Sequence, residues 1–426
     1  AHPMVGMRLM RCQREGGRLI VADPRRTDLA RLADVHLRLR PGTDVPLVNG
    51  LMHIIYENGW HDAAFIAERT ENFDELRESL RAWTPEKTEE VTGVPRELLF
   101  RAAELYARSE TSAIVYCLGI TQHRCGVNNV RSLANLSMLC GQIGRPCTGV
   151  NPLRGQNNVQ GACDMGGLPN YYPGYQFVDD EAVRLKFEAA WGRPLSPARG
   201  LTAMEMMHGL QEGRLKAMII MGENPVVSDP DSGHVVKALS SAEFLLCIDI
   251  FPTPTTELAH MVLPGASFAE TDGTFTNSER RVQRVRQAIP PMAGRTNGQI
   301  IQALSRRLGY DMHHASASEV FDEICSLAPS MGGMSYARLE GEGLCWPCPT
   351  PGHPGTPILH LGRFARGKGL FALDAGANAR FTHSLVVDAC GVKLGLDALA
   401  RFEFLEAHFG VRMKVAAHAD DVVLQL

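Results

Sequence analysis

Short apolar runs, each followed at once by polar residues and glycine, recur along the first 290 residues of the chain. Runs of this length, bounded by turn residues, are typical of parallel strands that are buried between layers of helices. The pattern predicts six such strands, at residues 18–22, 36–40, 112–118, 216–221, 244–250 and 259–263.

Segments with the helical period separate these strands. Apolar residues spaced three and four apart form one face of each segment, and charged residues occupy the other. The predicted helices lie at residues 3–15, 45–58, 62–82, 95–107, 130–143, 187–191, 203–212 and 296–309. The alternation predicts the fold class α/β, with two Rossmann-like doubly wound units and mainly parallel sheets.

The chain is expected to divide into four parts. We expect a first α/β unit at residues 1–156 and a second at residues 157–290. A helical and loop segment follows at residues 291–371. The tail at residues 372–426 is mixed in character and has a helical pattern at residues 396–409.

The stretch at residues 149–167, GVNPLRGQNNVQGACDMGG, is rich in glycine and side-chain amides. This composition favours neither a helix nor a strand, so the sequence predicts a loop. Arg154 offers a planar fork suited to a carboxylate or a phosphate, and Gln156 offers both donors and an acceptor. A solvated surface loop is the alternative, but the apolar helix before it and the surrounding strands favour a ligand-binding loop.

Polar clusters follow the predicted strands, at the edge where doubly wound sheets bind nucleotides. Asp23 follows the first strand and could hydrogen-bond a guanine or ribose edge, while Arg25 or Arg26 could meet a phosphate. Asp23 could equally cap the next helix. Both interpretations stay open on the pattern alone.

Three further strand ends carry polar residues. Glu223, Asn224 and Asp249 follow strands of the second unit, on the side expected to hold a second nucleotide. The strand at residues 112–118 ends in GITQH. The histidine in that cluster, His123, is by itself more often a surface or core residue than a ligand.

Composition and charge exclude some classes of partner. The net charge is −4, from 43 basic and 47 acidic residues, which gives no reason to expect nucleic acid or an anionic membrane. No apolar run reaches the roughly 18 residues of a membrane span. The first residues are amphipathic and charged, unlike a signal peptide, and the chain opens in mid-element, as a fragment would.

Eleven cysteines are scattered along the chain, an odd number that argues against a secreted disulfide framework. Cys345 and Cys348 form a CxxC pair, but no second pair follows at the spacing of a zinc site. We therefore expect both to be loop residues, and we expect no metal ligands in this chain.

The glycine-rich stretch also carries a family resemblance. RGQNNVQGACDMG, with YCLGITQH before it and LPNYYPGYQ, IMGENP and IDIFPTPT after it, resembles the α subunit of molybdopterin-dependent formate dehydrogenases, in the dimethyl sulfoxide reductase superfamily. The resemblance extends from residue 1 to about residue 370 and fails from about Ala372. It implies oxidation of formate to carbon dioxide with a molybdenum bis(molybdopterin guanine dinucleotide) cofactor, one pterin for each α/β unit.

The resemblance implies roles for individual residues. Arg154 would orient formate beside molybdenum, and Gln156 would line the same pocket. The residues expected to bind the pterin dinucleotides are Asp23, Arg25, Gly42, Asp44, Gly119, Gln122, Gln156, Gly222, Glu223, Asn224 and Asp249. The turn at residues 270–277 resembles a mainly structural turn of the family. Asn297 stands where relatives often carry an aspartate, which weakens one possible pterin contact.

Two features of the family are missing from the sequence. Its 4Fe–4S cluster needs a CxxCxxxC set, and its molybdenum ligand is a cysteine or selenocysteine followed by histidine; neither pattern occurs here. We therefore expect a fragment, inactive towards formate by itself. The whole enzyme is expected to be cytoplasmic and to pass electrons to partner subunits.

Two other functions remain open. Another molybdopterin oxidoreductase, such as an assimilatory nitrate reductase, would use the same scaffold, although the Arg-Gly-Gln of the loop favours formate. A non-catalytic subunit of the same fold, as in the large subunit of respiratory complex I, would bind neither molybdenum nor pterin. Metal analysis separates this last function from the two enzymes.

Overall fold

The computed structural model describes residues 2–373. The helical pattern at residues 396–409, and the rest of the tail from residue 374, lie outside the described residues. Within residues 2–373, no helix combines the length and the apolar character needed to cross a lipid bilayer.

The part of the chain before residue 153 alternates helices with short strands. The helices are α1 (Pro3–Arg14), α2 (Asp28–Leu32), α3 (Asp44–Glu57), α4 (Ala63–Arg69), α5 (Phe73–Leu80), α6 (Pro85–Thr92), α7 (Arg96–Arg108), α8 (Leu118–Thr121) and α9 (Gly126–Leu139). The strands are β1 (Ile20–Ala22), β2 (Val35–Leu37), β3 (Thr70–Glu71), β4 (Ala113–Tyr116) and β5 (Gly149–Pro152). β1 pairs with β2 and β4 pairs with β5, both in parallel.

The middle of the chain builds a second set of strands and helices. The helices are α10 (Val159–Asp164), α11 (Glu181–Trp191), α12 (Ala203–Gln211), α13 (Pro225–Ser228), α14 (Ser232–Ser240) and α15 (Pro254–Glu257). The strands are β6 (Tyr171–Tyr172), β7 (Gln176–Phe177), β8 (Ala217–Met221), β9 (Phe244–Asp249), β10 (Met261–Pro264), β11 (Gly273–Thr276) and β12 (Arg281–Val285). β8, β9 and β10 form a parallel sheet with β9 in the centre.

The last described segment pairs with strands of both earlier parts of the chain. Its helices are α16 (Asn297–Arg307), α17 (Ala317–Leu327) and α18 (Tyr336–Leu339), and its strands are β13 (Leu344–Cys345) and β14 (Gly369–Leu370). β13 extends the antiparallel pair β11–β12, and β14 pairs in parallel with β3. The segment therefore joins the beginning of the chain to its middle.

Buried side chains gather around three main centres. The largest cluster surrounds α3, α7 and α9 and includes Phe364 and Phe371 near the end of the described chain. A second lies between α12, α14 and one face of β8–β9, while α16 covers part of the other face. A third joins β12 to α17 and α18. Helices on both faces of a parallel sheet are the arrangement that the alternating pattern predicts.

Residues 62–82, predicted as one helix, form α4, β3 and α5 instead. Thr70 and Glu71 pair with β14, and Asn72, at a φ of 68°, separates the two helices. The Asn72 side chain donates to the carbonyl of Phe371 at 2.9 Å. The partner strand lies about 300 residues further along the chain, so local periodicity could not reveal this interruption.

The strands β4 and β8 are less buried than their apolar sequences predict. Val115 in β4 is 39% exposed, and Ile219 in β8 is 59% exposed. Within residues 2–373, each of these strands has a neighbour on one edge only. A strand at a sheet edge is less well covered than a central one such as β9, which the described helices cover on both faces.

Candidate functional site

Arg154 lies just past the carboxyl ends of two parallel strands. Leu153 follows β5 and donates its backbone N–H to the carbonyl of Tyr116, the last residue of β4, at 2.7 Å. The Cys117 thiol donates to the carbonyl of Leu153 at 3.0 Å. These bonds fix the start of the loop at the sheet edge where α/β proteins bind ligands.

The prediction of a structureless loop at residues 149–167 is wrong for two parts of it, which form β5 and α10. α10 begins after Asn158, whose backbone has a φ of 58° and whose Oδ1 accepts from the Thr276 N–H at 2.9 Å. A Cβ on Gly161 would lie 2.1 Å from that oxygen, so only glycine leaves room for the contact. The support comes from β11, more than 100 residues away, which the local composition could not show.

A chain of hydrogen bonds runs inward from Arg154. Its Nε donates to Gln160 Oε1 at 3.1 Å, and Gln160 Nε2 donates to Asp164 Oδ1 at 2.7 Å. Tyr175 OH lies 3.1 Å from Gln160 Nε2, and Trp346 Nε1 donates to Asp164 Oδ2 at 2.7 Å. We call these five residues the Arg154 network. Asp164, at its inner end, is fully buried.

Burial raises the pKa of the Asp164 carboxyl above its ordinary value, although its hydrogen-bond donors and Arg154 oppose the shift. An acid with a raised native pKa binds its proton more tightly in the native state than in the unfolded state. Its contribution to stability is therefore present at low pH and declines as the pH rises through the native pKa.

We expect this decline to disappear in Asp164→Asn. The free energy of unfolding, measured with urea from about pH 4 to about pH 7, should fall in the wild type relative to the variant as pH rises, then level off. Other titrating groups are shared and cancel in the difference. If the free energy of unfolding of the wild type minus that of the variant stays constant or increases with pH, Asp164 is not the source of the decline.

Gln156 and Gly155 complete the outer part of the loop. Gln156 is exposed two residues after Arg154, and a side chain at Gly155 would meet open space. The structure therefore places the two predicted substrate residues, Arg154 and Gln156, on one loop with room beside them.

Asp23 does not cap α2, which settles one alternative left open by the sequence. Thr27 is the capping residue, and its side chain accepts from the Ala30 N–H at 3.3 Å. Asp23 Oδ1 instead accepts from the Arg25 N–H at 2.7 Å, while the Arg25 side chain is 83% exposed. Both residues follow β1, and their nucleotide-binding role stays a prediction.

Asp44, Gly119 and His123 meet at a second strand end. His123 Nε2 lies 2.8 Å from the Gly119 carbonyl and 4.0 Å from Asp44 Oδ2. Burial raises the pKa of the Asp44 carboxyl, and the nearby His123 opposes the shift. Gly42, at a φ of 81°, borders open space, and Gln122 is exposed just after α8.

The second unit presents its predicted residues at the edge of one sheet. Gly222 donates its N–H to the carbonyl of Ile248, next to Asp249, at 2.9 Å. Asn224 Oδ1 accepts from the Thr255 hydroxyl at 2.7 Å. Glu223 turns back to accept from the hydroxyl of Ser228 in α13. Gly222, Asn224 and Asp249 thus lie together at this edge, and convergence with the first unit's residues stays a prediction.

Several supporting residues were not predicted from the sequence. Gln160 and Asp164 lie four residues apart, on one face of α10, so a helix prediction there would have revealed the pair. Ser278 Oγ accepts from the Arg154 N–H at 3.4 Å, which ties the loop to the residue directly after the turn at residues 270–277. No local sequence pattern indicated a role for Tyr175 or Trp346.

Asn297 has a clear role of its own. Its Oδ1 accepts from the Ala266 N–H at 2.8 Å, and its Nδ2 donates to the Ala266 carbonyl at 3.2 Å. An ionised aspartate could accept the first bond but could not donate the second. The asparagine therefore fastens α16 to the segment after β10.

Comparison with known families identifies the scaffold. The family model described as molybdopterin oxidoreductase matches residues 1–307, well over half of the chain. The chain belongs to the molybdopterin oxidoreductase family. The likeness to the formate dehydrogenase α subunit, suggested by the loop motif, is confirmed by the curated relatives below.

The relatives of this molybdopterin oxidoreductase chain include formate dehydrogenases from several organisms. It is 47% identical over 374 residues to F420-dependent formate dehydrogenase 2 subunit alpha of Methanococcus maripaludis, covering 87% of this chain and 55% of that protein. It is 41% identical over 375 residues to formate dehydrogenase H of Escherichia coli, covering 87% and 52%. The chain therefore spans about half the length of these relatives.

A solved structure agrees with the fold. Acetylene hydratase from Pelobacter acetylenicus superposes with a TM-score of 0.65 at 19% identity, covering 96% of this chain and 58% of that one. At this identity the likeness concerns the fold alone. It confirms the α/β class that the sequence pattern predicts.

The strand ends fit a molybdopterin cofactor in their chemistry. Within residues 2–373, Asp23 and Asp249 hold backbone amides through Oδ1, which leaves Oδ2 to accept from an outside donor such as a hydroxyl or ring N–H. Gly119 and Gly222 border open space, so a ligand can approach the main chain there. Carboxylate acceptors suit the ring N–H and hydroxyl groups of such a cofactor, and the open glycines let a ligand lie close to the main chain.

Proposed function

We propose that this chain is part of the α subunit of a molybdopterin-dependent formate dehydrogenase, which oxidises formate to carbon dioxide. The observation that carries the proposal is Arg154, held at the carboxyl edge of β4 and β5 beside open space. The formate dehydrogenases among the relatives, at 41–47% identity, support the same reaction.

Arg154 binds the carboxylate of formate and aims its C–H bond, and Gln156 lines the same pocket. A charge-assisted pair of hydrogen bonds supplies both attraction and orientation. The molybdenum–pterin group, when bound, accepts the two electrons that formate loses. The protein contributes binding and alignment, and the cofactor contributes the redox chemistry.

The cofactor in this proposal is a bis(molybdopterin guanine dinucleotide), with one dinucleotide tail on each α/β unit. We also propose that the first α/β unit ends at residue 156 and the second at residue 290. The first tail binds at Asp23, Arg25, Gly42, Asp44, Gly119 and Gln122. The second binds at Gly222, Glu223, Asn224 and Asp249. The second carboxylate oxygens of Asp23 and Asp249 and the open glycines at these strand ends support this assignment.

The complete enzyme, in this proposal, works in the cytoplasm. It passes electrons through a 4Fe–4S cluster to electron-transfer subunits. The sequence patterns of that cluster do not occur among residues 1–426.

Substrate discrimination tests the proposed reaction. A cofactor-loaded enzyme containing this chain should reduce an artificial dye with formate, at a rate proportional to its bound molybdenum. It should show little reduction of nitrate. Nitrate turnover exceeding formate turnover per molybdenum would favour a nitrate reductase, and absence of both molybdenum and pterin would favour a non-catalytic scaffold.

Asp249→Asn tests the nucleotide-binding edge separately. Asparagine keeps Oδ1 for the amides of Ile250 and Phe251 but replaces the second acceptor with a donor. We expect guanosine monophosphate and molybdenum, released by acid hydrolysis, to fall several-fold per protein, since each lost charged hydrogen bond costs about 1.5–3 kcal/mol. The rate with formate per remaining molybdenum should change little.

The matched control is Asp179→Asn, which alters an exposed aspartate of the same unit. Its cofactor content should equal that of the wild type. If Asp249→Asn also retains full guanosine monophosphate and molybdenum, Asp249 does not bind the dinucleotide.

A further inference from the structure

The Arg154 network has a defined order of donors and acceptors. Arg154 Nε–H donates to Gln160 Oε1, so the amide NH₂ of Gln160 must point the other way, towards Asp164. Both oxygens of Asp164 act as acceptors, Oδ1 from Gln160 Nε2 and Oδ2 from Trp346 Nε1. Asp164 therefore dictates which end of the Gln160 amide faces Arg154.

Asp164 is costly to keep in this position. It is fully buried, and its direct hydrogen-bond partners are neutral groups of Gln160, Tyr175 and Trp346. Burying a carboxylate that has no ion-pair partner in direct contact costs free energy, which hydrogen bonds to neutral groups offset only in part. Packing alone would be served as well by an apolar residue of similar size.

The orientation of Gln160 decides which edge of the Arg154 guanidinium is available. A carboxylate can bind a guanidinium at the side, through Nε and one terminal nitrogen, or at the end, through both terminal nitrogens. Gln160 occupies Nε, which removes the side mode. The end of the fork is left for a ligand, and the neighbouring Gly155 borders open space.

We infer that Gln160 and Asp164 are positioning residues that hold Arg154 end-on to the carboxylate of a small, planar substrate. The inference deepens the proposed function and rests on it for the identity of that substrate. Neither residue needs to touch the substrate, because each acts through the next member of the network. The end-on pair of bonds fixes the plane of the carboxylate as well as its position.

Asp164→Asn tests the polarity of the network. The new amide can donate to residue 160, which favours a flipped Gln160 amide. The NH₂ of the flipped amide then faces the Arg154 Nε–H, so that two donors face each other. In a cofactor-loaded enzyme containing this chain, we expect kcat/KM for formate to fall about tenfold, with kcat as well as KM affected because alignment is lost. Molybdenum content should remain near that of the wild type.

The double variant Gln160→Glu with Asp164→Asn restores the order of donors and acceptors. The new carboxylate at position 160 accepts from Arg154 Nε through one oxygen and from the new amide at position 164 through the other. The total charge is unchanged. We expect kcat/KM to recover to within about threefold of the wild type, whereas Gln160→Glu alone places two carboxylates together and stays impaired.

A second measurement needs no cofactor. In the 426-residue chain labelled with ¹⁵N-arginine, the Arg154 Nε–H signal can be assigned by its loss in Arg154→Lys. We expect slow exchange of this hydrogen with water in the wild type and in the double variant. We expect exchange about tenfold faster or more in Asp164→Asn, because the bond to Gln160 is lost.

The two measurements separate the inference from the proposed function. If exchange follows the expected pattern while the loaded enzyme leaves formate untouched, the positioning holds and the proposed substrate is wrong. If formate is oxidised but Asp164→Asn leaves both the Nε–H exchange and kcat/KM unchanged, the positioning inference is overturned. Failure of the double variant to recover, despite folding with wild-type thermal stability, would also overturn it.

Discussion

Replacing Arg154 with lysine is expected to lower kcat/KM for formate about 100-fold, or about 2.7 kcal/mol of transition-state stabilisation. The carboxylate is the only group of formate that can accept hydrogen bonds from the protein. Arginine holds both oxygens in one plane, whereas lysine keeps the charge and loses the fork. Because the transition state needs orientation as well as attraction, kcat should fall and KM should rise.

Steady-state kinetics normalised to bound molybdenum measures this effect. The control is Arg199→Lys, at an arginine whose side chain is 63% exposed and which should leave both constants unchanged. Arg154 could instead pair with a phosphate of the cofactor. In that case Arg154→Lys would reduce molybdenum content while kcat/KM per molybdenum stayed normal, and Arg154 would be excluded from the substrate site.

Gly161→Ala is expected to destabilise the protein by about 3 kcal/mol and to loosen the Arg154 loop. The added methyl group would lie 2.1 Å from Asn158 Oδ1 and 3.3 Å from Thr276 N. Asn158 must then move away, which leaves the N–H of the buried Thr276 without that acceptor. Urea unfolding monitored by circular dichroism gives the free energy.

A double variant tests whether the clash with Asn158 is the cause. Asn158→Gly suits the φ of 58° at this position and removes the side chain that the methyl group would strike. Added to Asn158→Gly, the change Gly161→Ala should therefore cost much less than in the wild type. Full additivity of the two changes would mean that Gly161 matters for another reason.

The arrangement of strands and helices was predictable because it depends on local patterns. Apolar runs of five to seven residues gave β1, β8 and β9 to within two residues at each end. The long amphipathic segment at residues 45–58 likewise gave α3 to within one residue. Packing of an apolar face is a property of the segment itself, so periodicity suffices to find it.

Elements that depend on distant partners could not be predicted in this way. α4 and α5 are separated because Thr70 and Glu71 pair with β14, and α10 is held by a contact from Asn158 to β11. A glycine- and amide-rich segment has little helical tendency of its own. Tertiary contacts therefore decided its structure against the local preference.

The candidate site likewise contains residues that local sequence could predict and residues that it could not. Arg154 and the strand-end residues could be proposed because parallel strands bring their carboxyl ends to one edge and because the motif resembles a known family. The residues that hold Arg154 in place could not be predicted from the local sequence. Trp346 reaches Asp164 across 182 residues of sequence, and nothing in its own neighbourhood indicates that contact.

A crystal structure of the cofactor-loaded enzyme containing this chain, with formate bound, would show directly what Arg154 binds. Both formate oxygens should lie within about 3 Å of the two terminal nitrogens of Arg154. Nε should remain on Gln160, and dinucleotide tails should lie at the carboxyl ends of the strands in each unit. A structure with formate bound elsewhere and Arg154 paired to a cofactor phosphate would exclude Arg154 from the substrate site.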